Sequence, residues 1–338
     1  MTNSLDFKSK TILITGSCGF IGFHCAMHFL DLGYNVIGID NMYIDENSSS
    51  KKIRLHNLTQ QLAFEFHEID IKNLNSLEKI FLKSKVDFIL HLAAKTGVRK
   101  SEENFVEYLD SNVKGTRNVL ECSKTKKIPV IYASSSSVYG VTDASSFVET
   151  QDISSPKSIY ALTKISCENL AYYYQKKYDL NIIGLRFFTV YGILPRLDMA
   201  IWKFISAIDT DQKVKLYNHG QMYRDFTFVD DIVNSIDLFV KKMTVGQIIY
   251  KNEIFNIGNG SSILISDLLS MIETKMEKKA KIINSPDLFE DLPYTKSDNT
   301  KLFNHIGYKP TTSISEGLDL LLAWHNSKSK TFSFNILD

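Results

Sequence analysis

The sequence predicts a doubly wound α/β domain on a parallel sheet, followed by a smaller C-terminal α/β lobe. Three observations carry this prediction. Short β-rich runs alternate with helical patterns through the first half, the runs lack a clean period of two, and the rhythm loosens after about residue 190. Strands without alternation are buried on both faces, which requires helices on both sides of a parallel sheet. Right-handed crossovers then wind the chain back and forth across it.

The expected strands are TILIT at 11–15, NVIGID at 35–40, FEFHEI at 64–69, VDFILHLA at 86–93, VIYAS at 130–134 and NIIGLRFF at 181–188. Helical patterns fall between them at 20–32, 74–83, 104–123 and 158–177. The serine-rich stretch 45–52 reads as a loop. Beyond residue 190, helical stretches near 199–208, 230–242, 266–278 and 315–325 are separated by turns carrying Pro195, Gly220, Pro286, Pro293 and Pro310. The expected division is a cofactor domain over 1–180, with segments near 225–257 returning to it, and a substrate lobe mainly over 181–338.

A chain of 338 residues with 44% hydrophobic and 23% charged residues has the composition of a soluble globular protein with a sizeable core. Its formal net charge of +1 gives no electrostatic case for nucleic acid or an anionic membrane, so an anionic ligand must be held by local geometry. Cys18, Cys25, Cys122 and Cys167 show neither CxxC spacing nor a Cys/His cluster. They read as reduced thiols of a cytoplasmic protein, with no metal site. Residues 11–30 imitate a signal peptide or short membrane span, but three glycines and two histidines fit a strand, turn and helix better.

That turn is GSCGFIG. Gly16, Gly19 and Gly22 follow a strand and open a helix through Phe20 and Ile21. The first glycine suits the tight turn, the second admits a pyrophosphate to the backbone, and the third permits close helix packing. The helix N-terminus adds a positive dipole. Asp40 ends the next strand about 20 residues on, where an acid accepts the adenosine ribose hydroxyls and repels a 2′-phosphate, which favours NAD over NADP. Asn41 follows it. Asp70 and Ile71 would lie near the adenine, and HLAA, with Leu92, Ala93 and Ala94, would bring the fourth strand's backbone beside the cofactor.

YALTK places Tyr160 and Lys164 four residues apart, on one face of a helix that follows the fifth strand. An amphipathic helix with a packed tyrosine and a solvated lysine would look the same in isolation. Position in the α/β order gives the pair its weight. A base for a sugar hydroxyl needs a phenolate, and lowering a tyrosine from about 10 to ~7 takes roughly 4 kcal/mol of selective anion stabilisation. A lysine ammonium and a positive nicotinamide are suitable sources. A serine hydroxyl at the strand end can share the proton, which draws attention to YASSSSVYG at 132–140.

Together these segments resemble the extended short-chain dehydrogenase/reductase family over nearly the whole chain. GFIGFH, GIDN, HLAAKTGVR, DSNVKGTRNVLE, YASSSSVYG, YALTK, GLRFFTVYG, NHGQMYRDFTFVDDI and FNIGN are similar to the nucleotide-sugar epimerases, specifically the UDP-glucuronate 4-epimerase group. The resemblance implies a Rossmann domain with tightly held NAD, resting as NAD+. It also implies a C-terminal UDP-sugar domain and a homodimer built on the helices at 104–123 and 158–177.

By the same resemblance Ser135 joins Tyr160 and Lys164 as the catalytic hydroxyl. The similar 4,6-dehydratases carry Asp-Glu after that position, and the UDP-glucuronate decarboxylases carry a glutamate. UDP-galactose 4-epimerases often carry a small apolar residue and threonine. Here Ser136 and Ser137 offer only neutral hydroxyls. With Thr189 and Arg196 they would receive a sugar carboxylate, although Arg196 could face solvent or a phosphate and Thr189 could simply pack. Arg224 resembles the arginine that clamps the UDP phosphates, and Asp225 and Asp230 read as structural.

Departures from the pattern are Lys95, Thr96 and Lys100, the segment following Asp40, and PDLFEDLP in place of a Gly-Asp turn near the nucleotide ribose. The expected activity is NAD-dependent 4-epimerisation of UDP-glucuronate to UDP-galacturonate through a 4-keto sugar. Three alternatives stay open: a 4-epimerase of a neutral UDP-hexose, a C4 oxidoreductase or other modifier of another nucleotide sugar, and a catalytically silent NAD-sensing protein.

Overall fold

The computed structural model describes residues 10–45, 47–141, 144–244, 250–286 and 291–328. The first half alternates as β1 (Thr11–Thr15), α1 (Phe20–Asp31), β2 (Asn35–Asp40), α2 (Ser48–Thr59), β3 (Phe64–Glu68), α3 (Leu74–Lys83) and β4 (Phe88–His91). Then come α4 (Phe105–Tyr108), α5 (Gly115–Lys126), β5 (Val130–Ser135), α6 (Ile159–Tyr178) and β6 (Ile182–Phe187). The remainder runs through β7 (Thr189–Tyr191), α7 (Ala200–Asp209), β8 (Lys213–Tyr217), β9 (Tyr223–Phe228), α8 (Val229–Thr244) and β10 (Lys251–Ile257). It finishes with β11 (Ser262–Leu264), α9 (Ile265–Met276), β12 (Lys281–Ser285), α10 (Thr300–Ile306) and α11 (Ile314–Lys328).

Seven strands form one parallel sheet in the order β10-β6-β5-β4-β1-β2-β3. The chain builds outward from β1 on one side, then crosses back to lay β4 on its other side. A crevice opens at the carboxyl ends of the strands at this reversal, the usual ligand position in such sheets. The doubly wound fold is therefore as the sequence predicts. Late in the chain β10 adds beside β6, with Phe255 opposite Leu185, and α8 packs with α1 on the sheet.

Burial on both faces explains why the central strands do not alternate, whereas the edge strand β3 does. Ile12, Ile14, Val36, Leu90 and Leu185 pack against Phe23 and Phe29 of α1 and Ile236 and Phe239 of α8. On the opposite face Leu13, Ile37, Ile89, Val130 and Ile182 pack against Leu77 of α3, Leu120 of α5 and Tyr174 of α6. The smaller lobe holds a three-stranded sheet, β11-β9-β7, and a two-stranded sheet, β12-β8, around Phe204, Phe226, Leu268 and Leu321. No described helix is long and apolar enough to cross a membrane.

Two departures from expectation matter for the site. Residues 48–59, partly expected as loop, form α2, whose Ser50, Arg54 and Leu58 are buried. Local serine propensity is weak, and tertiary burial overrides it. Between α4 and α5 the helix widens into a π-turn over Leu109–Lys114. Asn112 in that turn donates to Lys95 O and accepts from Lys95 N, fixing the loop after β4.

Candidate active site

Gly16 adopts a left-handed φ of +73°, and a Cβ there would stand 2.8 Å from the Ala93 amide nitrogen. A Cβ on Gly22 would stand 2.1 Å from Gly16 O. Both positions therefore require glycine for steric reasons, and the turn lies directly against the Leu92–Ala93 backbone. α1 starts at Phe20 with no side-chain cap and no acidic residue in its first turn, so its positive end faces the crevice uncompensated.

Asp40 lies at the carboxyl end of β2, is buried, and accepts from Cys18 N at 3.1 Å and Met42 N at 3.0 Å. Lys51 of α2 stands 3.6 Å from its Oδ1. Asn41 donates to Asp70 at 3.0 Å, and the Lys72 amide bonds the same carboxylate at 2.8 Å. Partial burial opposes ionisation of Asp70. The bonds from Lys72 and Asn41 outweigh it and hold the carboxyl below its usual range. Ile71 packs onto Gly115, where a Cβ would meet its Cδ1 at 2.4 Å. The predicted cofactor residues thus gather at the carboxyl ends of β1 to β4. They fit a dinucleotide: the turn is too tightly packed for any Cβ at Gly16 or Gly22, so its backbone is bare toward the uncapped start of α1, and an acid stands at the second strand's end.

α6 begins on Ser158, whose Oγ caps Ala161 N at 3.1 Å. One turn in, the buried Lys164 donates from Nζ to Ala133 O at 2.9 Å and lies 5.8 Å from the Tyr160 ring centre. Tyr108 meets the Tyr160 ring edge-on at 6.3 Å. The serine run ends β5 one residue later than expected and turns at once into a 3₁₀ segment, Ser136–Tyr139. Ser135 Oγ accepts from both Ser137 N, at 3.2 Å, and Ser137 Oγ, at 3.0 Å. Ser134 instead donates to Glu168 Oε1 at 2.6 Å. Lys164 is thereby pinned two residues before Ser135, on the same strand end.

Of the residues expected to bind substrate, Thr189 opens β7 just beyond the end of β6. Arg196 forms a two-pronged pair with Asp198, at 3.0 and 2.5 Å, and stands within electrostatic range of Tyr160. Arg224 donates to Tyr223 O at 2.9 Å. Burial lowers its pKa, Asp291 opposes the shift, and Arg99 adds to it. Arg99 escaped assignment from the sequence. It donates to Asp291 at 2.6 Å and stacks 4.0 Å over the Tyr217 ring. The signal was present in the GVR of HLAAKTGVR, but only the fold carries it across to β8 and β9. Of the atypical segment PDLFEDLP, residues 287–290 lie outside the described residues.

Among the unusual residues, Lys95 pairs with Glu107 and reaches the Tyr43 hydroxyl at 3.3 Å, so its charge is spent within the protein. Asp225 is wholly buried and bonded by the amides of Asn259, Gly260 and Ser297, a structural role. No cluster of three His, Cys, Asp or Glu side chains suited to a metal occurs among the described residues.

A parallel sheet with a glycine turn at its reversal point, and a tyrosine–lysine helix facing a hydroxyl-bearing strand end, define a nicotinamide-dinucleotide enzyme. The sequence model of the NAD dependent epimerase/dehydratase family matches residues 12–258, and the chain belongs to that family. It is 40% identical to Protein CapI of Staphylococcus aureus, covering 93% of this chain and 98% of that one. Identity to a UDP-glucuronate 4-epimerase of Thermodesulfobacterium geofontis is 36%, over 92% and 95%. The solved UDP-glucuronic acid 4-epimerase of Bacillus cereus, in complex with UDP-glucuronic acid and NAD, superposes with a TM-score of 0.88 at 32% identity, over 94% and 99%. The protein is an NAD-dependent enzyme of the nucleotide-sugar epimerase/dehydratase class.

Proposed function

We propose that the enzyme inverts C4 of UDP-glucuronate, giving UDP-galacturonate through a 4-keto sugar. The observation that carries this reading is the Ser135–Ser137 turn. Ser135 stands at the strand end that holds Lys164, and the two residues after it bear only hydroxyls, so neither dehydration nor assisted decarboxylation has its extra acid or base. The naming of two relatives for this reaction, and the substrate bound in one of them, support it.

In this reading Gly16, Gly19, Gly22 and the α1 terminus hold the cofactor pyrophosphate, and Asp40 holds the ribose. Asn41, Asp70, Ile71 and Leu92–Ala94 complete the adenosine side. Bound NAD supplies a hydride acceptor and donor at C4. Tyr160 takes the 4-hydroxyl proton, helped by the Lys164 ammonium and by Ser135. Arg224, with Arg99, grips the diphosphate in a geometry suited to planar guanidinium forks. The sugar pivots about that anchor and presents its other face, and Tyr160 returns the proton.

The intermediate is a β-keto acid, which loses CO2 when its carboxylate bond aligns with the carbonyl π system. Ser136, Ser137, Thr189 and Arg196 hold the carboxylate away from that alignment. Incubating purified enzyme with UDP-glucuronate and with UDP-glucose, and following sugars and CO2, tests the reading. UDP-galacturonate without CO2 is expected. A UDP-pentose product, or turnover of UDP-glucose alone, overturns it.

A homodimer forms part of the same proposal. Phe105 and Val106 of α4 and Leu162, Tyr172 and Tyr173 of α6 are exposed apolar side chains on the two helices expected to pair. Light scattering on the eluting protein should give twice the chain mass.

A further inference from the structure

Arg54 is 1% exposed, yet no carboxylate bonds it among the described residues. Its guanidinium donates only to main-chain carbonyls. Nη1 reaches Cys18 O at 3.0 Å, Nε and Nη2 reach Leu194 O at 3.2 and 2.8 Å, and Nη2 reaches Pro195 O at 2.7 Å. Burial lowers its pKa to about 10, so it stays charged at neutral pH. A buried cation that no carboxylate bonds is expensive; Asp40 and Asp198 favour its charge from a distance, Arg196 opposes it, and the hydrogen bonds must supply the rest.

What those bonds join is informative. Cys18 sits in the glycine turn, between Gly16 and Gly19. Leu194 has a left-handed φ of +50°, a strained conformation for a branched residue, and its carbonyl carries two of the four bonds. Leu194 and Pro195 lead directly into Arg196. At the start of the same helix, Asn47 accepts from Leu197 N at 2.8 Å and donates to Asp198 at 3.4 Å. α2 therefore grips both ends of the turn that presents Arg196, and reaches the cofactor turn with the same side chain.

We infer that Arg54 is a positioning residue that couples the cofactor turn to the substrate-side turn 194–198, setting where Arg196 points. The coupling needs only the family's NAD site; the effect on a sugar carboxylate rests on the UDP-glucuronate reading above. If the two turns move together, removing the guanidinium disturbs both ligands at once. A purely structural role would lower stability and leave selectivity unchanged.

The test compares Arg54→Met, Arg54→Lys, Arg196→Met and the double variant Arg54→Met/Arg196→Met, each purified as the holoenzyme. NAD occupancy is read from the cofactor released on denaturation, with NAD affinity measured by titration of stripped protein. Arg54→Met should weaken NAD binding and cut the preference for UDP-glucuronate over UDP-glucose, each by about tenfold, as small misplacements of binding groups do. Arg54→Lys should recover part of both, because an ammonium can reach some of the same carbonyls. The double variant should discriminate no worse than Arg196→Met, since both changes act through one group.

Unchanged NAD affinity in Arg54→Met overturns the coupling, as do additive losses in the double variant. If Arg54→Met does not fold, Arg54→Lys carries the same comparison, and wild-type values there overturn the inference. Wild-type enzyme inactive on UDP-glucuronate would refute the substrate reading alone. The NAD titrations, and the KM for whichever UDP-sugar is turned over, would still decide the role of Arg54.

Discussion

Arg186 of β6 and Glu168 of α6 form a buried two-pronged ion pair, with Nε to Oε1 at 2.9 Å and Nη2 to Oε2 at 2.7 Å. Glu168 Oε1 also accepts the Ser134 hydroxyl. Although burial works against its charge, Glu168 holds Arg186 above its ordinary pKa. The pair locks the helix bearing Tyr160 and Lys164 to the two strands beneath it. Arg186→Met would strand the carboxylate and should cost about 3–5 kcal/mol, read from urea unfolding. Arg186→Met/Glu168→Leu should cost less than the sum of the single changes. An additive result would mean that the two charges do not depend on each other.

Gly22 leaves no room for a side chain. Gly22→Ala drives a methyl group to within 2.1 Å of Gly16 O, so the cofactor turn must shift. Overpacking of this kind costs about 1–3 kcal/mol. The expected result is a chain that folds but is purified with much less NAD. Full cofactor content in the variant would contradict this account of the turn.

Tyr160→Phe keeps the ring and its edge contact with Tyr108 while deleting the hydroxyl proposed as the proton acceptor. Turnover should fall by about 10²- to 10⁴-fold, with KM and melting temperature little changed. An active phenylalanine variant would move the base elsewhere.

Ser136→Ala and Ser137→Ala should behave differently. Ser137 Oγ donates to Ser135 Oγ, so its loss should lower kcat as well as raise the KM for UDP-glucuronate. Ser136→Ala should act mainly on KM. A hydrogen bond to a charged group is worth about 1.5–3 kcal/mol, or roughly tenfold or more in binding. Both variants should release some CO2 and UDP-pentose. Their absence would remove these hydroxyls from carboxylate control.

His91 is wholly buried between Thr15 and Thr116, at 2.7 and 3.0 Å, and burial, with Lys164 nearby, lowers its pKa from 6.5 to about 3. Between those values the unfolded chain binds a proton that the folded chain refuses. Stability therefore falls as pH drops through that window, with a limiting slope of about 1.4 kcal/mol per pH unit from this group. His24, lowered to about 4 by burial, adds in the same sense. Urea midpoints measured at pH 7.5, 6 and 5 should fall less steeply in His91→Gln than in the wild type. Equal slopes would exclude His91 as a source.

Six of the seven strands of the main sheet were legible, most of them because they are apolar runs buried on both faces. The edge strand β3, FEFHE, is only partly buried, and β10, KNEIFNI, was not assigned from the sequence. β1 and β2 match the expected limits, and β5 differs by one residue. The cofactor turn was legible because glycine spacing expresses a local steric demand. Helix α2 was not. Its serines favour a loop, and it is held by Leu58, Arg54 and Asn47 reaching distant parts of the chain. Arg99 was missed for a similar reason, since its partners Asp291 and Tyr217 are far away in sequence. The strand β11 and the helix α10 carry too few residues for a periodic signal, and β12 is almost wholly exposed, so it lacks an apolar pattern.

By itself the sequence determined the winding of the sheet, the glycine turn, the acid at the end of β2, and the tyrosine and lysine on one helical face. Each depends on neighbours within one or two turns of chain, where sterics and periodicity act directly. Only the tertiary structure decided that Lys164 binds Ala133 O, that Ser134 joins Glu168 and Arg186, and that Arg54 spans 140 residues to Leu194. Such contacts form only after long loops close, and their geometry is set by packing of the whole core rather than by any local pattern.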